Sequence, residues 1–213
     1  MRIKKSIFLL ALALCAIAAT QARTAGDVFC SSSSDVFNVI PANMRAEMLA
    51  YLEVGRVVPV ETAYGEEAKL VRATDNYVKV RMSAASEVEM LMLTSSRDTV
   101  LLVVQTVETP ARDSRITAID TEGNPLRLDK LLKEPQMKDF VRLPKGSKMK
   151  PDDVLAKVRF PLISYSINDS AMTLTARQNL KEFMSADDYA EIAPYLTDSI
   201  TFRAQGTRFK PLK

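Results

Sequence analysis

The chain has 213 residues, with 10 prolines, 6 glycines, 2 cysteines, no tryptophan and no histidine. Without histidine, Ser-His-Asp and Cys-His catalysis are excluded and zinc loses its usual nitrogen ligand. Basic and acidic residues, 29 and 26, nearly balance, so the clustered cation excess of a nucleic-acid binder is not expected.

Arg2, Lys4 and Lys5 open the chain, an apolar run follows from Ile7 to Ala19, and Thr20-Gln21-Ala22 comes next. Basic, apolar and small in that order is the pattern of a secretory signal peptide, so residues 1–22 are expected to be removed on export to the periplasm or cell envelope. The run is shorter than the ~20 residues of a comfortable bilayer span, so no transmembrane segment is expected in the mature chain. Loss of those three cations lowers the 29 basic residues to 26, equal to the 26 acidic ones. Cys15 leaves with the signal. Only Cys30 then remains, and no intramolecular disulfide is expected. Lipid attachment at Cys15 is the competing fate, but Leu14 stands where a small residue normally precedes a lipidated cysteine.

Residues 23–35 are polar and serine-rich and read as a flexible leader. Pro41 suits a helix start, and Met44, Met48, Leu49 and Leu52 fall at helical spacing before Gly55. This predicts a helix from Ala42 to Glu53. The pattern then changes to period two. Val78, Val80 and Met82 alternate with Lys79 and Arg81, and Val88, Met90 and Met92 alternate with Glu87, Glu89, Leu91 and Leu93. Thr99 to Val107 is almost continuously apolar, as in a central strand covered on both sides. Ile116 to Asp120 follows, so Tyr77 to Asp120 reads as an antiparallel meander of four strands. Leu126 to Phe140 reads as a short helical connection.

Residues 142–152 hold Pro144, Gly146, Pro151 and three lysines and read as a linker. Beyond it, Phe160 to Ile167 and Ala171 to Ala176 flank the turn Asn168-Asp169-Ser170. Ser185, with Asp188 three residues on, should cap a helix that Pro194 kinks or ends. Ile200 to Arg203 and Arg208 to Lys210 make a closing hairpin. The predicted class is α+β, antiparallel sheets with helices packed on one face. Residues 36–141 form a helix plus meander and 153–213 a hairpin, helix and hairpin. Whether the two parts pack as one domain or stand as two similar halves is open.

No phosphate loop, dinucleotide fingerprint or calcium loop is present, and neither a cofactor nor a metal site is expected. The segment with the most site-like character is Arg112-Asp113-Ser114, which follows a strongly apolar strand. Its functional reading is a polar binding cluster at a strand end. Its bland reading is a turn in which Asp and Ser side chains bond neighbouring amides.

Several segments resemble together an uncharacterised family of exported proteins from Bacteroidales. They are Ile40-Pro41 through Leu52, Val80-Arg81-Met82-Ser83, Val88-Glu89-Met90, and Val107 to Ser114 with its Pro-x-x-Asp-Ser element. The closing Ile200-Thr201-Phe202-Arg203 and Arg208-Phe209 also match, although the family often has a tryptophan there. The resemblance covers most of residues 36–210. It implies an envelope or secreted setting and supplies no mechanism. In general look the family is similar to β-lactamase-inhibitor-like periplasmic modules, which bind other proteins. The expected function is a non-catalytic binding module of the cell envelope, with another envelope protein as partner. The alternatives are a histidine-free hydrolase using a Ser-Lys or carboxylate pair, and a structural or assembly subunit of a surface system.

Overall fold

The computed structural model describes residues 23–212. The expected signal peptide, with Cys15, lies outside the described residues.

Strands pair with their neighbours in sequence. β1 (Pro59–Glu61), β2 (Glu67–Ala73), β3 (Tyr77–Ser83), β4 (Ser86–Thr94), β5 (Thr99–Val107), β6 (Asp113–Ile119) and β7 (Pro125–Leu126) form one sheet in chain order. β8 (Ile163–Asn168), β9 (Thr173–Gln178), β10 (Ser199–Gln205) and β11 (Arg208–Pro211) form a second, also in chain order. Every pairing is antiparallel, which short connections permit. The α-helices among the described residues are α1 (Ala25–Ser31), α2 (Ala42–Glu53), α3 (Pro151–Leu155) and α4 (Ala186–Ile192). The class is α+β.

Alternation assigns the faces of the large sheet. Leu70, Val78, Val80, Met90, Leu101 and Val103 point to one side, where α1 and α2 cover them. Leu91, Leu93, Leu102, Val104 and Ile116 point to the other, where they share a core with Tyr165, Leu174, Ala176, Phe202 and Phe209 of the small sheet. The large sheet is therefore the middle layer, and β4 and β5 are apolar on both faces because both are covered. Each fully buried Leu here contributes roughly 1.5–3 kcal/mol. Residues 36–141 and 153–213 share this core. The two sheets differ in strand number, seven against four. The expected linker 142–152 is tied down: Leu143 and Met149 pack against the shared core, and Arg142 N donates to Tyr195 O at 2.7 Å.

Residues 23–35 differ from the flexible leader expected. They form α1, whose Ala25, Val28 and Phe29 are fully buried. Thr24 caps it: its hydroxyl accepts from Asp27 N at 3.1 Å, and the Asp27 carboxylate accepts from Thr24 N at 2.8 Å. The bonds that the carboxylate accepts from Thr24 N and from the Thr24 hydroxyl hold the Asp27 carboxyl below its ordinary value. Cys30 is half-buried in this helix, and burial pushes its thiol up. Arg45 completes the arrangement from α2. It is 4% exposed, and its fork donates to Phe29 O at 2.6 Å and Ser32 O at 3.0 Å. Those carbonyls end α1 and have no partner within the helix. The α2 face thus buries Met48 and an arginine, with Met44, Leu49 and Leu52 half-buried.

Gly123, in the β6–β7 turn, lies under the serines that follow α1. Its φ is +95°, and an added Cβ would meet Ser32 Oγ and stand 2.9 Å from Ser34 N. Gly123→Ala is therefore expected to destabilise by at least about 1–3 kcal/mol from backbone strain alone. It should also open residues 31–35 to limited proteolysis before the sheets unfold. Wild-type protection of that segment in the variant would show that the close approach is relieved elsewhere.

The ends of the large sheet are short and carry proline, Pro59 in three-residue β1 and Pro125 in two-residue β7. Among the described residues, no helix is long and apolar enough to cross a membrane.

Candidate functional site

Arg112, Asp113 and Ser114 lie where the chain enters β6. Asp113 and Ser114 belong to the strand itself, two to three residues earlier than the alternating pattern shows. Asp113 Oδ1 accepts from Ile163 N at 3.1 Å, and Ser114 Oγ accepts from Tyr165 N at 3.1 Å while bonding Thr106 Oγ1 at 2.8 Å. Ile163 and Tyr165 are alternate residues of β8, with amides directed away from β9. The third amide in that series, Ile167 N, faces the Glu89 carboxyl. The outer edge of β8 is thus terminated by side chains of the large sheet. Successive contacts move from β6 at Ile163 to β4 at Ile167 and then to Arg72 of β2, which pairs with Asp169 at 2.8 Å. β8 therefore crosses the strands of the large sheet.

The same seam buries two carboxylates. Glu87 and Glu89 are 3% and 4% exposed, on the β4 face that also carries Leu91 and Leu93. Arg81 and Lys79 stand directly opposite them in register. Glu87 pairs with Lys79 at 2.9 Å, Arg112 at 2.7 Å and Arg81 at 3.7 Å. The Glu89 carboxyl accepts the hydroxyl of Tyr77. Burial holds the Glu89 carboxyl above its ordinary value and pushes the Tyr77 hydroxyl strongly up. Sequence reasoning did not single out these carboxylates as a buried pair. The available signal was parity: they share a face with two leucines and oppose two cations.

The raised value at Glu89 means that the folded chain holds this proton more tightly than the unfolded chain. The stability it contributes is complete below about pH 4.5, its ordinary value, and is lost as pH rises through the folded value. Urea midpoints of the wild type should fall across that interval relative to Glu89→Gln, which does not titrate. Parallel pH profiles for the two proteins would show that Glu89 ionises without penalty.

Arg112 has a second environment. Its backbone oxygen accepts from Asn179 Nδ2 at 2.7 Å, and its Nε is buried without a partner. The side chain is 42% exposed and lines a cavity of about 400 Å3 with Ser164, Ser166, Thr175, Arg177, Asn179 and Glu182. The cavity adjoins the outer face of the small sheet, which is free of other layers.

That face is built in cross-strand rows. Ser164, Arg177 and Ser199 form one row, and Ser166, Thr175 and Thr201 the next. Asn168, Thr173, Arg203 and Lys210 form the third, with Gln205 beside Arg208 beyond it. Inward residues between them, such as Leu174, Ala176 and Phe202, are in the core. Arg177, Arg203, Arg208 and Lys210 are exposed, and the face carries no carboxylate. None of the four makes an ion pair among the described residues. Sequence reasoning missed this face because its members come from four strands and only register assembles them.

Two features bear on chemistry. Among the described residues, no group of three or more Cys, Asp or Glu stands together to hold a metal. Asp113, Ser114, Glu87 and Glu89 are all engaged within the seam.

A family model described as "Protein of unknown function (DUF3256)" matches residues 17–209. A solved structure titled "Structure of a domain of an uncharacterized protein from Porphyromonas gingivalis W83" is similar, with a TM-score of 0.74 and 24% identity. The match covers 87% of this chain and 97% of that one, and it shows the same fold. No curated protein matches.

Proposed function

The chain belongs to DUF3256, a family of proteins of unknown function, and we propose that it is an exported, non-catalytic binding module that meets its ligand on the outer face of the small sheet. The observation that carries this reading is the contrast between the two polar regions. The acidic groups at the seam are engaged within the chain, Glu87 with Lys79, Arg81 and Arg112 and Asp113 with the Ile163 amide. The four exposed cations of the outer face make no ion pair among the described residues, and its Thr175 and Thr201 hydroxyls bond only each other. Unpaired charge of one sign on an open surface steers and retains a ligand of the other sign. The export part of the reading is supported by the basic, apolar and small pattern of residues 1–22. The setting is the cell envelope, and the candidate contacts are Arg112 with the rows beside it. Asp113 and Ser114 enter as residues that position Arg112.

Cosedimentation with isolated cell-wall and polysaccharide fractions tests this reading. The mature chain should pellet with them and release no soluble sugar, amine or phosphate. The double variant Arg177→Glu/Arg203→Glu should remain in the supernatant. Product release would make the protein an enzyme, and equal pelleting of both proteins would place the binding surface elsewhere.

A further inference from the structure

We propose that the outer face of the small sheet takes an acidic polysaccharide, a sugar polymer bearing carboxylate or sulfate groups. This rests on the binding reading above and names its ligand class.

Spacing selects a polymer. Arg177 lies opposite Ser199, and Arg203 lies opposite Thr173, four residues along β9 from Arg177. At ~3.4 Å per residue and ~4.8 Å between strands, their backbones stand roughly 14 Å apart. One small anion cannot bridge that gap. Arg203 and Lys210 are direct cross-strand partners, and Arg208 lies one row on, so the cations recur at intervals across the sheet. A chain with regularly spaced anionic groups matches that recurrence.

Composition selects a sugar. Between the cations stand Ser166, Thr175 and Thr201, with the two threonine hydroxyls 3.2 Å apart. Hydroxyls both donate and accept, which suits the mixed hydroxyl pattern of a glycan. Single-stranded nucleic acid is disfavoured because no aromatic residue lies on the face to stack a base. A flat four-stranded face also does not enter the major groove, which admits a helix or a two-stranded ribbon. Protein hot spots set arginine beside aromatic anchors in desolvated pockets, and no aromatic residue stands beside the arginines of this open face. A membrane surface would be met by apolar side chains that insert, and none projects here.

The Arg112 cavity terminates the face. Arg177 supplies unpaired positive charge there beside Arg112, which is paired with Glu87 and Glu108; the Ser164 hydroxyl is free to donate, Asn179 Oδ1 is free to accept, and Glu182 shares the wall. A carboxylate beside two arginines disfavours a bare anion and accepts a sugar hydroxyl. The cavity therefore suits one acidic monosaccharide unit that presents both.

The test is calorimetric titration of the mature chain with heparin, polygalacturonate and neutral dextran, repeated from 50 to 300 mM salt. Heparin or polygalacturonate should bind, and log affinity should fall linearly with log salt. Arg177→Glu/Arg203→Glu should weaken binding at least tenfold and flatten the salt slope by about one for each cation lost. Arg208→Glu/Lys210→Glu, at the sheet margin, should do the same and guards against misfolding of the first variant. Lys145→Glu/Lys148→Glu, outside the face, should bind as the wild type does. Failure of both acidic polymers overturns the inference. Equal binding of dextran, lost in the face variants, keeps the binding face and overturns the acidic class. Duplex DNA binding as tightly as heparin, or loss confined to the Lys145/Lys148 variant, shows a generic polyanion effect and overturns it as well.

Discussion

Phe140→Ala is expected to lower the unfolding free energy by about 3–5 kcal/mol, the cost of deleting a large buried aromatic and leaving its cavity. Phe140 is fully buried in the cluster common to both sheets. It sits in a short 3-10 turn, Met137–Phe140, and its carbonyl accepts from Thr197 N at 2.8 Å. It therefore bridges the connection after the large sheet to the approach of β10. Against a typical total of about 5–15 kcal/mol, the loss is a large fraction of stability. Because one core joins the sheets, unfolding monitored at each should shift together. Fluorescent probes placed on β9 and on β3 would report this in urea titrations. A variant that melts the small sheet and leaves the large one intact would show two independently folding parts.

Glu87→Ala should be the most damaging single change at the seam, at about 3 kcal/mol. Removing one member of a buried ion pair costs about 3–5 kcal/mol because the partner's charge is stranded. The lower end applies because the cations are partly wet: the side chains of Lys79, Arg112 and Arg81 are 28%, 42% and 45% exposed. The reciprocal change is milder. Arg112→Ala leaves Glu87 paired with Lys79, and a part-exposed ion pair contributes about 1 kcal/mol. Urea unfolding of both variants at pH 7 checks the asymmetry. Equal losses, or a larger loss for Arg112→Ala, would mean that the carboxylate is not the hub of the cluster.

The parts of this fold legible in the sequence are those set by local periodicity. The helix from Ala42 to Glu53 has the bounds that Pro41 and the apolar spacing indicate. The Ser185 cap and the end of α4 before Pro194 follow from side-chain chemistry within a few residues. β3, β4 and β5 display clean alternation or continuous apolarity. α1 was hidden because seven residues with two large apolar side chains do not make a helix by themselves. Packing of Phe29 against Phe37, with ring centroids 5.2 Å apart, and the grip of Arg45 stabilise it. β2 was hidden because Val71 points outward, 44% exposed, beside inward Leu70 and Ala68, which blurs the period. The site shows the same division. Arg112-Asp113-Ser114 stands out locally, but the amides that Asp113 and Ser114 serve lie about fifty residues away. The outer-face rows depend on register, which no single segment contains.

The terminated edge of β8 has a consequence for behaviour at high concentration. Exposed strand edges are where sheet proteins recruit one another into fibrils. Here two of the three outward amides of β8 are bonded to side chains and the third faces the Glu89 carboxyl, and the other margins are guarded too. β1 and β7 are stubs with prolines. β11 ends in Pro211, and its Phe209 amide is bound to Leu131 O at 2.7 Å. The described residues thus offer no long template for another backbone, and the protein should stay dispersed where one with a bare strand would gel.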